Sequence, residues 1–395
     1  MNDTVLPREH GSWRQPWRLV TPDPWLLLPV LGLLVLGLVI VASASMPVAD
    51  RLAQQPLFYF YRQSLYVVMG LVLGFAALQV PLASWYHRGP WLLALALGLL
   101  VLVLVPGIGR EVNGSRRWID LGVMNVQVSE VAKLLVLIYT AGYLRRHLRA
   151  LKFSTGAMLR PMAVMALVGL LLLAEPDFGA AAVLTAVVLG MMFLAGVHLG
   201  RFLLLQGGVV VLGAVLIVSS PYRLQRLLSY LDPFADPFNT GFQLTQSLIA
   251  IGRGEMTGVG LGASVQKLFY LPEAYTDFVF AVLAEETGLL GIILVVLLYG
   301  VLVWRAFAVG ARAEARGLSF AAFLAYGIGL WFALQSLINM GVNMGLLPTK
   351  GLTLPLISYG GSSMVAMCLA LGVLMRVEVE TREPPEQSAS VHPLR

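Results

Sequence analysis

Three acidic residues in one stretch set the problem. In "LPEAYTDFVFAVLAEETG", Asp277, Glu285 and Glu286 stand at the mouth of an apolar segment or inside it, in a chain that is only 12% charged. A buried intramembrane charge costs at least about 2.5–3.5 kcal/mol and marks a functional position by default. Asp277 follows Thr276 and starts a helical pattern, where either residue could cap the helix and a carboxylate suits its dipole. Capping does not account for Glu285, which lies about two turns deeper and roughly 80° around. Glu286 falls opposite Asp277, so at least one glutamate needs a buried basic partner.

Other charged motifs carry similar choices. "LLLAEPDFGAA" brackets Pro176 with Glu175 and Asp177. Asp177 could simply cap the next helix, with Glu175 structural. Two acids in so short a turn exceed that need, which favours a carboxylate lining a polar pocket. "GIGREVNGSRRWIDLG" supplies Arg110, Arg116 and Arg117. Guanidinium forks match phosphate oxygens, but the same residues suit interface anchoring beside Trp118. Both readings stay open. Glu130 and Lys133 in "VSEVAK" share a helix face and are expected to pair, either as a structural ion pair or as part of a site. "GLLPTKGLTLPLISYGGSS" is rich in breakers. Irregular backbone at membrane depth is tolerated only where protein buries it or it lines a cavity. This segment is therefore expected to re-enter the membrane or to plug the outer mouth, with Thr349, Lys350, Ser362 and Ser363 offering donors to an anion. Carboxylate, basic groups and a glycine-rich roof together fit a site for an anionic amphiphile.

The elements that must position these groups are membrane spans. Of the 395 residues, 58% are hydrophobic and the mean hydropathy is +0.80, well above an ordinary soluble domain. A span needs about 20 apolar residues. Segments near 25–45, 64–84, 91–106, 129–144, 161–175, 179–198, 202–220, 277–304, 318–343 and 363–376 qualify or nearly do. The expected fold is an all-α polytopic integral membrane protein of about ten helices, with a large extracytoplasmic loop, 221–276, before the eighth span. Continuous apolar runs argue against a β-barrel. The first run is too long for a signal-peptide core and reads as an uncleaved span. One cysteine, Cys368, precludes an intramolecular disulfide and a cysteine metal site; it reads as packing.

Arginine placement sets the orientation. Arg8, Arg14 and Arg18 precede the first span; Arg145, Arg146, Arg149 and Lys152 follow the fourth, Arg305, Arg312 and Arg316 the eighth, and Arg376 and Arg382 the tenth. The positive-inside rule puts all of them in the cytoplasm with both termini. Residues 1–23 and 377–395 are then cytoplasmic tails around a transmembrane unit, 24–376. Within the long loop, "GFQLTQSLIAIGRGEMTGVGLGASVQK" reads as a short amphipathic helix and a glycine-rich turn region that roofs a cavity.

Taken together, "GREVNGSRRWIDLG", "SEVAKLLVL", "EPDFGAA", "YLDPFADPFNTGFQLTQSLIAIGRG", "GLGASVQKLFYLPEAYTDFVFAVLAEETG" and "LLPTKGLTLPLISYGGSS" make the chain resemble the SEDS family (shape, elongation, division and sporulation), from about Trp25 to Arg382. "PTKGLTLP" is closer to its division branch than to its elongation branch. One departure is Tyr275, where many members carry histidine. The resemblance implies a peptidoglycan glycosyltransferase. Such an enzyme polymerises lipid II, a disaccharide-pentapeptide on undecaprenyl pyrophosphate, at the outer face of the inner membrane during septal wall synthesis. It implies Asp277 as the catalytic aspartate, Asp177 as the cavity acid, and Arg226 as the arginine before "LDP". Gln246, Lys350, Arg110, Arg116, Arg117, Ser362 and Ser363 complete the expected substrate contacts, while Glu130, Lys133, Glu175 and Glu285 are structural. No cofactor is evident and no metal ligand set is identified. A divalent cation, Mg or Mn, could share the pyrophosphate charge. The implied partners are a class B penicillin-binding septal transpeptidase and an activating divisome complex, with no nucleic acid.

Two other classes compete. A lipid II transporter would also use polar groups inside spans, but it should line a path through both leaflets, whereas Asp177 and Asp277 gather on the outer side. A non-catalytic scaffold leaves an outward pocket with buried acids unexplained.

Overall fold

The computed structural model describes residues 23–382 except 113, 121, 123, 240, 349 and 350. The two tails, 1–22 and 383–395, and Lys350 therefore lie outside the described residues. Ten helices coincide with the expected segments: α1 (Pro24–Ala53), α2 (Phe58–Gln79), α3 (Leu82–Leu104), α4 (Val128–Phe153), α5 (Thr155–Ala174), α6 (Phe178–Leu194), α7 (Leu199–Val218), α10 (Val279–Ala315), α11 (Ser319–Asn343) and α12 (Gly361–Arg382). Eight are long and apolar enough to cross a membrane. The other two are α6, of 17 residues, and α4, which carries Glu130, Lys133 and a basic second half.

Four features depart from the expectation. The expected loop 107–128 holds a three-stranded antiparallel sheet, β1 (Gly109–Val112), β2 (Ser115–Asp120) and β3 (Asn125–Gln127). The long loop contains two helices, α8 (Pro221–Leu231) and α9 (Phe242–Gly254), of which only α9 was expected. The segment taken as one span from 277 breaks at Gly288, whose φ of 66° is glycine territory. In addition, α12 continues to Arg382, beyond the expected end at 376.

Close packing follows small residues. Gly70 and Gly74 on α2 face Cys368 and Gly372 on α12; a Cβ on Gly372 would stand 2.1 Å from the Gly74 carbonyl oxygen. Small residues one turn apart let two membrane helices approach backbone to backbone. Cys368 is buried there as a packing residue. By contrast, α7 buries none of its residues.

Ion pairs tie one end of the bundle. Asp23 caps α1 through the Trp25 amide and pairs with Arg305 of α10 and Arg382 of α12. Glu378 pairs with Arg382 and Arg312, and Glu380 accepts from the Leu82 amide at the start of α3. Of the basic residues grouped by the positive-inside rule, Arg305, Arg312, Arg376 and Arg382 thus gather at this end. The sheet, α9 and segment 351–360 occupy the other end, joined where the Gln127 amide donates to Ser362.

Candidate active site at the broken helix

The break in α10 builds the site. It leaves the carbonyls of Glu285 and Glu286 and the amides of Leu289 and Leu290 without helical partners, a deficit that any helix end must settle. The glycine-rich roof settles it. Val259 and Gly260 donate to the carbonyls of Glu285 and Glu286, and Leu289 and Leu290 donate to those of Glu255 and Met256. Gly258, at φ +80°, passes so close that a Cβ would meet the Glu286 carbonyl oxygen at 2.2 Å.

The two glutamates find the partners that their burial demands. Glu285 is 0% exposed. It accepts from Arg253 at 2.8 Å, from Ser264, and from the amides of Val265 and Gln266. Glu286 accepts from Lys267 at 2.8 Å and from Ser43 of α1 at 2.6 Å. Both carboxylates bind the roof to the outer piece of α10.

Asp277 lies just before that piece, half-buried. The N-cap position of α10 falls to Phe278, whose side chain makes no cap, and Thr276 donates to Glu273. The Asp277 side chain reaches Gly351, where a Cβ would stand 2.9 Å from Oδ2. Only a glycine leaves that approach open.

Segment 351–360 is the strap beside Asp277. Leu352 and residues 354 to 358 are buried outside any regular element; one turn closes where the Ile357 and Ser358 amides donate to the Leu354 carbonyl, and the rest of their polar backbone needs other partners. Asn339 donates to the Leu352 carbonyl, Gln335 to Thr353, Tyr299 to Pro355 and Gln63 to Ser358. Gln335, Asn339 and Asn343 form an amide ladder on the mostly apolar α11. The sequence reading missed it, although polar residues four apart in "QSLINMGVN" share one helix face. At its lower end Lys133 donates to Gln335 at 2.8 Å and to Glu130 at 2.9 Å, and stacks 5.1 Å from the Trp331 ring centre.

The remaining predicted residues divide. Asp177 is 4% exposed. It caps α6 through the Ala180 amide and accepts from Ser129 at 2.7 Å and Gln127 at 3.0 Å. Its oxygens are therefore engaged by the fold rather than presented to a pocket. Ser362 accepts from Gln127 and Ser363 shares a hydrogen with Thr353, so both brace the strap. The expected arginine cluster is split. Arg110 pairs with Asp120 and Arg116 with Glu111 on the exposed hairpin, whereas the Arg117 charge acts on Glu175. Gln246 is half-buried on α9. Arg226 falls in α8, with its side chain outside the described residues.

Tyr275 enters an aromatic cluster, with ring centres 4.9 Å from Tyr59 and 5.7 Å from Tyr359. Burial, then the hydrogen bond with Tyr59, pushes its hydroxyl pKa well up. It is neutral near pH 7.

Residues 24–383 match the family model of the FtsW, RodA and SpoVE cell cycle proteins. A Thioalkalivibrio sulfidiphilus protein named "Probable peptidoglycan glycosyltransferase FtsW" is 60% identical over 381 residues, covering 96% of this chain and 95% of that one. Its Legionella pneumophila namesake is 50% identical over 372 residues, 94% of each chain. Among solved structures, one chain from work on the structural coordination of polymerization and crosslinking by a peptidoglycan synthase complex aligns with a TM-score of 0.75 and 31% identity, over 92% of this chain and all of that one. The rod shape determining protein RodA of Thermus thermophilus aligns at 0.68 and 28%, over 93% and 99%.

Proposed function

The chain belongs to the SEDS family of FtsW, RodA and SpoVE cell cycle proteins, and from that premise we propose that Asp277 is the general base of its glycosyl transfer. The protein is a multi-pass membrane peptidoglycan glycosyltransferase. The finer reading is that it polymerises lipid II at the outer face of the cytoplasmic membrane, at the division septum, with both termini inside.

In this reading the Asp277 carboxylate takes the proton of the acceptor sugar's 4-hydroxyl. The hydroxyl oxygen bonds to the anomeric carbon of the donor. The bond from that carbon to the pyrophosphate breaks, and the lipid pyrophosphate leaves with its electrons. A placed base contributes typically about 10²–10⁴-fold. Cationic groups lower the barrier further by meeting the leaving charge. Lys350, next in sequence to Gly351, together with Arg226 and Arg117, is proposed for that role. Arg110, Arg116 and Gln246 are proposed for outer contacts to the substrate, with Ser362, Ser363 and Asp177 supporting the strap. Among the described residues no three Asp, Glu, His or Cys side chains cluster. A Mg or Mn ion, where used, would be held mainly by the substrate's own phosphates.

One observation carries the assignment. Asp277 is half-buried, and its carboxylate stands against a glycine on a backbone held by Asn339 and Asn343. A transport path would want ionisable groups open at depth, whereas Lys133 and Glu130 are paired and buried. The proposed partner is a septal class B penicillin-binding transpeptidase with its activating complex, in keeping with the synthase complex to which one similar solved chain belongs. The test is glycan polymerisation from labelled lipid II by the purified complex. Asp277→Ala is expected to abolish it while the protein melts normally; full activity would remove Asp277 from the mechanism.

A further inference from the structure

Three consecutive carbonyls lead up to the side chain of Asp277, and each is held by a different group. The Tyr275 carbonyl accepts from the Tyr359 amide at 2.9 Å. The Thr276 carbonyl accepts from the Ser358 hydroxyl at 2.6 Å. The Asp277 carbonyl accepts from Asn339 at 2.9 Å and from Asn343 at 3.1 Å. We propose that Asn339, Asn343 and Ser358 are positioning residues of the glycosyl transfer, fixing the Asp277 carboxylate through its main chain. This rests on the reading of Asp277 as the base.

The bonding is saturated, as a rigid clamp requires. Asn339 also donates to the Leu352 carbonyl, which uses both hydrogens of its amide. Asn343 also donates to the Asn339 carbonyl, and its Oδ1 accepts from the Ala281 amide at 3.2 Å. One side chain thus joins Asp277 to the first turn of α10. Ser358 accepts from the Leu354 amide at 2.7 Å while it donates to Thr276. Asn339, Asn343 and Ser358 are at most 4% exposed, so water does not compete for these bonds.

The clamp supplies what the local chain lacks. The N-cap residue of α10, Phe278, has no side chain that could cap it, and residues 271 to 278 are irregular. With the carbonyls pinned, the carboxylate keeps only its side-chain torsions. The same clamp ties it to the strap that carries Gly351. The polar groups on α11 and the strap therefore set where the base stands relative to any sugar bound beside it. A misplacement of about 1 Å at a reacting group costs about 10²-fold in rate.

A purely structural role would lower the melting temperature and leave turnover per folded molecule intact. The two roles separate kinetically in the full-length protein with its transpeptidase partner, using lipid II well below the melting temperature. Asn339→Ala and Ser358→Ala are expected to lower kcat by about 10²-fold, with KM changed by no more than about threefold. In an Asp277→Glu background, where an extra methylene already displaces the carboxylate, adding Asn339→Ala is expected to cost much less than it does alone. Undiminished kcat in both single variants, or an equal loss in the Asp277→Glu background, overturns the proposal. Should Asn339→Ala not fold, Ser358→Ala alone decides, because Ser358 contributes one side-chain bond to this clamp. Asp277→Ala run in parallel separates the two readings. If it stays active, the base assignment fails; if it is dead while the clamp variants turn over normally, only the positioning role fails.

Discussion

Glu175 is expected to make the stability of the protein fall as pH rises. It lies in the turn between α5 and α6, 0% exposed, and neither carboxylate oxygen has a hydrogen-bond partner among the described residues. Burial, reinforced by the nearby Asp177 charge and only partly opposed by Arg117, pushes its pKa from 4.5 up to about 8. Between those values the folded chain holds a proton that the unfolded chain has released. Folding therefore takes up a proton there, and stability drops with rising pH. The contribution is complete below the unfolded pKa and is lost as pH climbs to the folded one. Each pH unit in that window is worth about 1.4 kcal/mol, so the interval from pH 5 to 8 amounts to on the order of 4 kcal/mol. Glu175→Gln keeps the shape and cannot ionise. Melting followed by tryptophan fluorescence in detergent, from pH 5 to 9, should give curves that coincide near pH 5 and diverge upward, the variant being the more stable. Parallel curves for the two proteins would refute the reasoning.

Glu285→Gln should lower the melting temperature by loosening the roof, at a cost on the order of 2 kcal/mol for charge-assisted hydrogen bonds lost, with turnover of the folded fraction intact. A normal melting temperature with lost turnover would move Glu285 into the chemistry. Tyr275→Phe should leave the pH–rate profile unchanged, because burial already holds the hydroxyl pKa well above the assay range; a displaced profile would assign Tyr275 a proton-transfer role.

Apolar run lengths, arginine placement and short motifs are local properties, and the chain states them outright. From them come the membrane class, the approximate helix positions, the pairing of Glu130 with Lys133, the short helix α9 and the family itself. The family motifs also single out Asp277. Hydropathy averages over a window, however, and cannot register one glycine at φ 66°. The break at Gly288 was therefore invisible, although it decides how deep Glu285 and Glu286 lie. Their partners Arg253, Lys267 and Ser43 come from distant segments, and only folding brings those together. The same holds for the hairpin, whose strands pair Arg110 and Arg116 with acids and leave Arg117 to act on Glu175. Asp177 shows the limit from the other side: two acids in a turn suggested a pocket, but the carboxylate oxygens meet Ser129, Gln127 and the Ala180 amide. Residue type and spacing determined which groups are costly enough to need a reason. The tertiary structure alone decided which of them are consumed in holding backbone and which, like Asp277, are braced from behind, because a buried polar atom takes its partners from whatever the fold places within 3 Å or so.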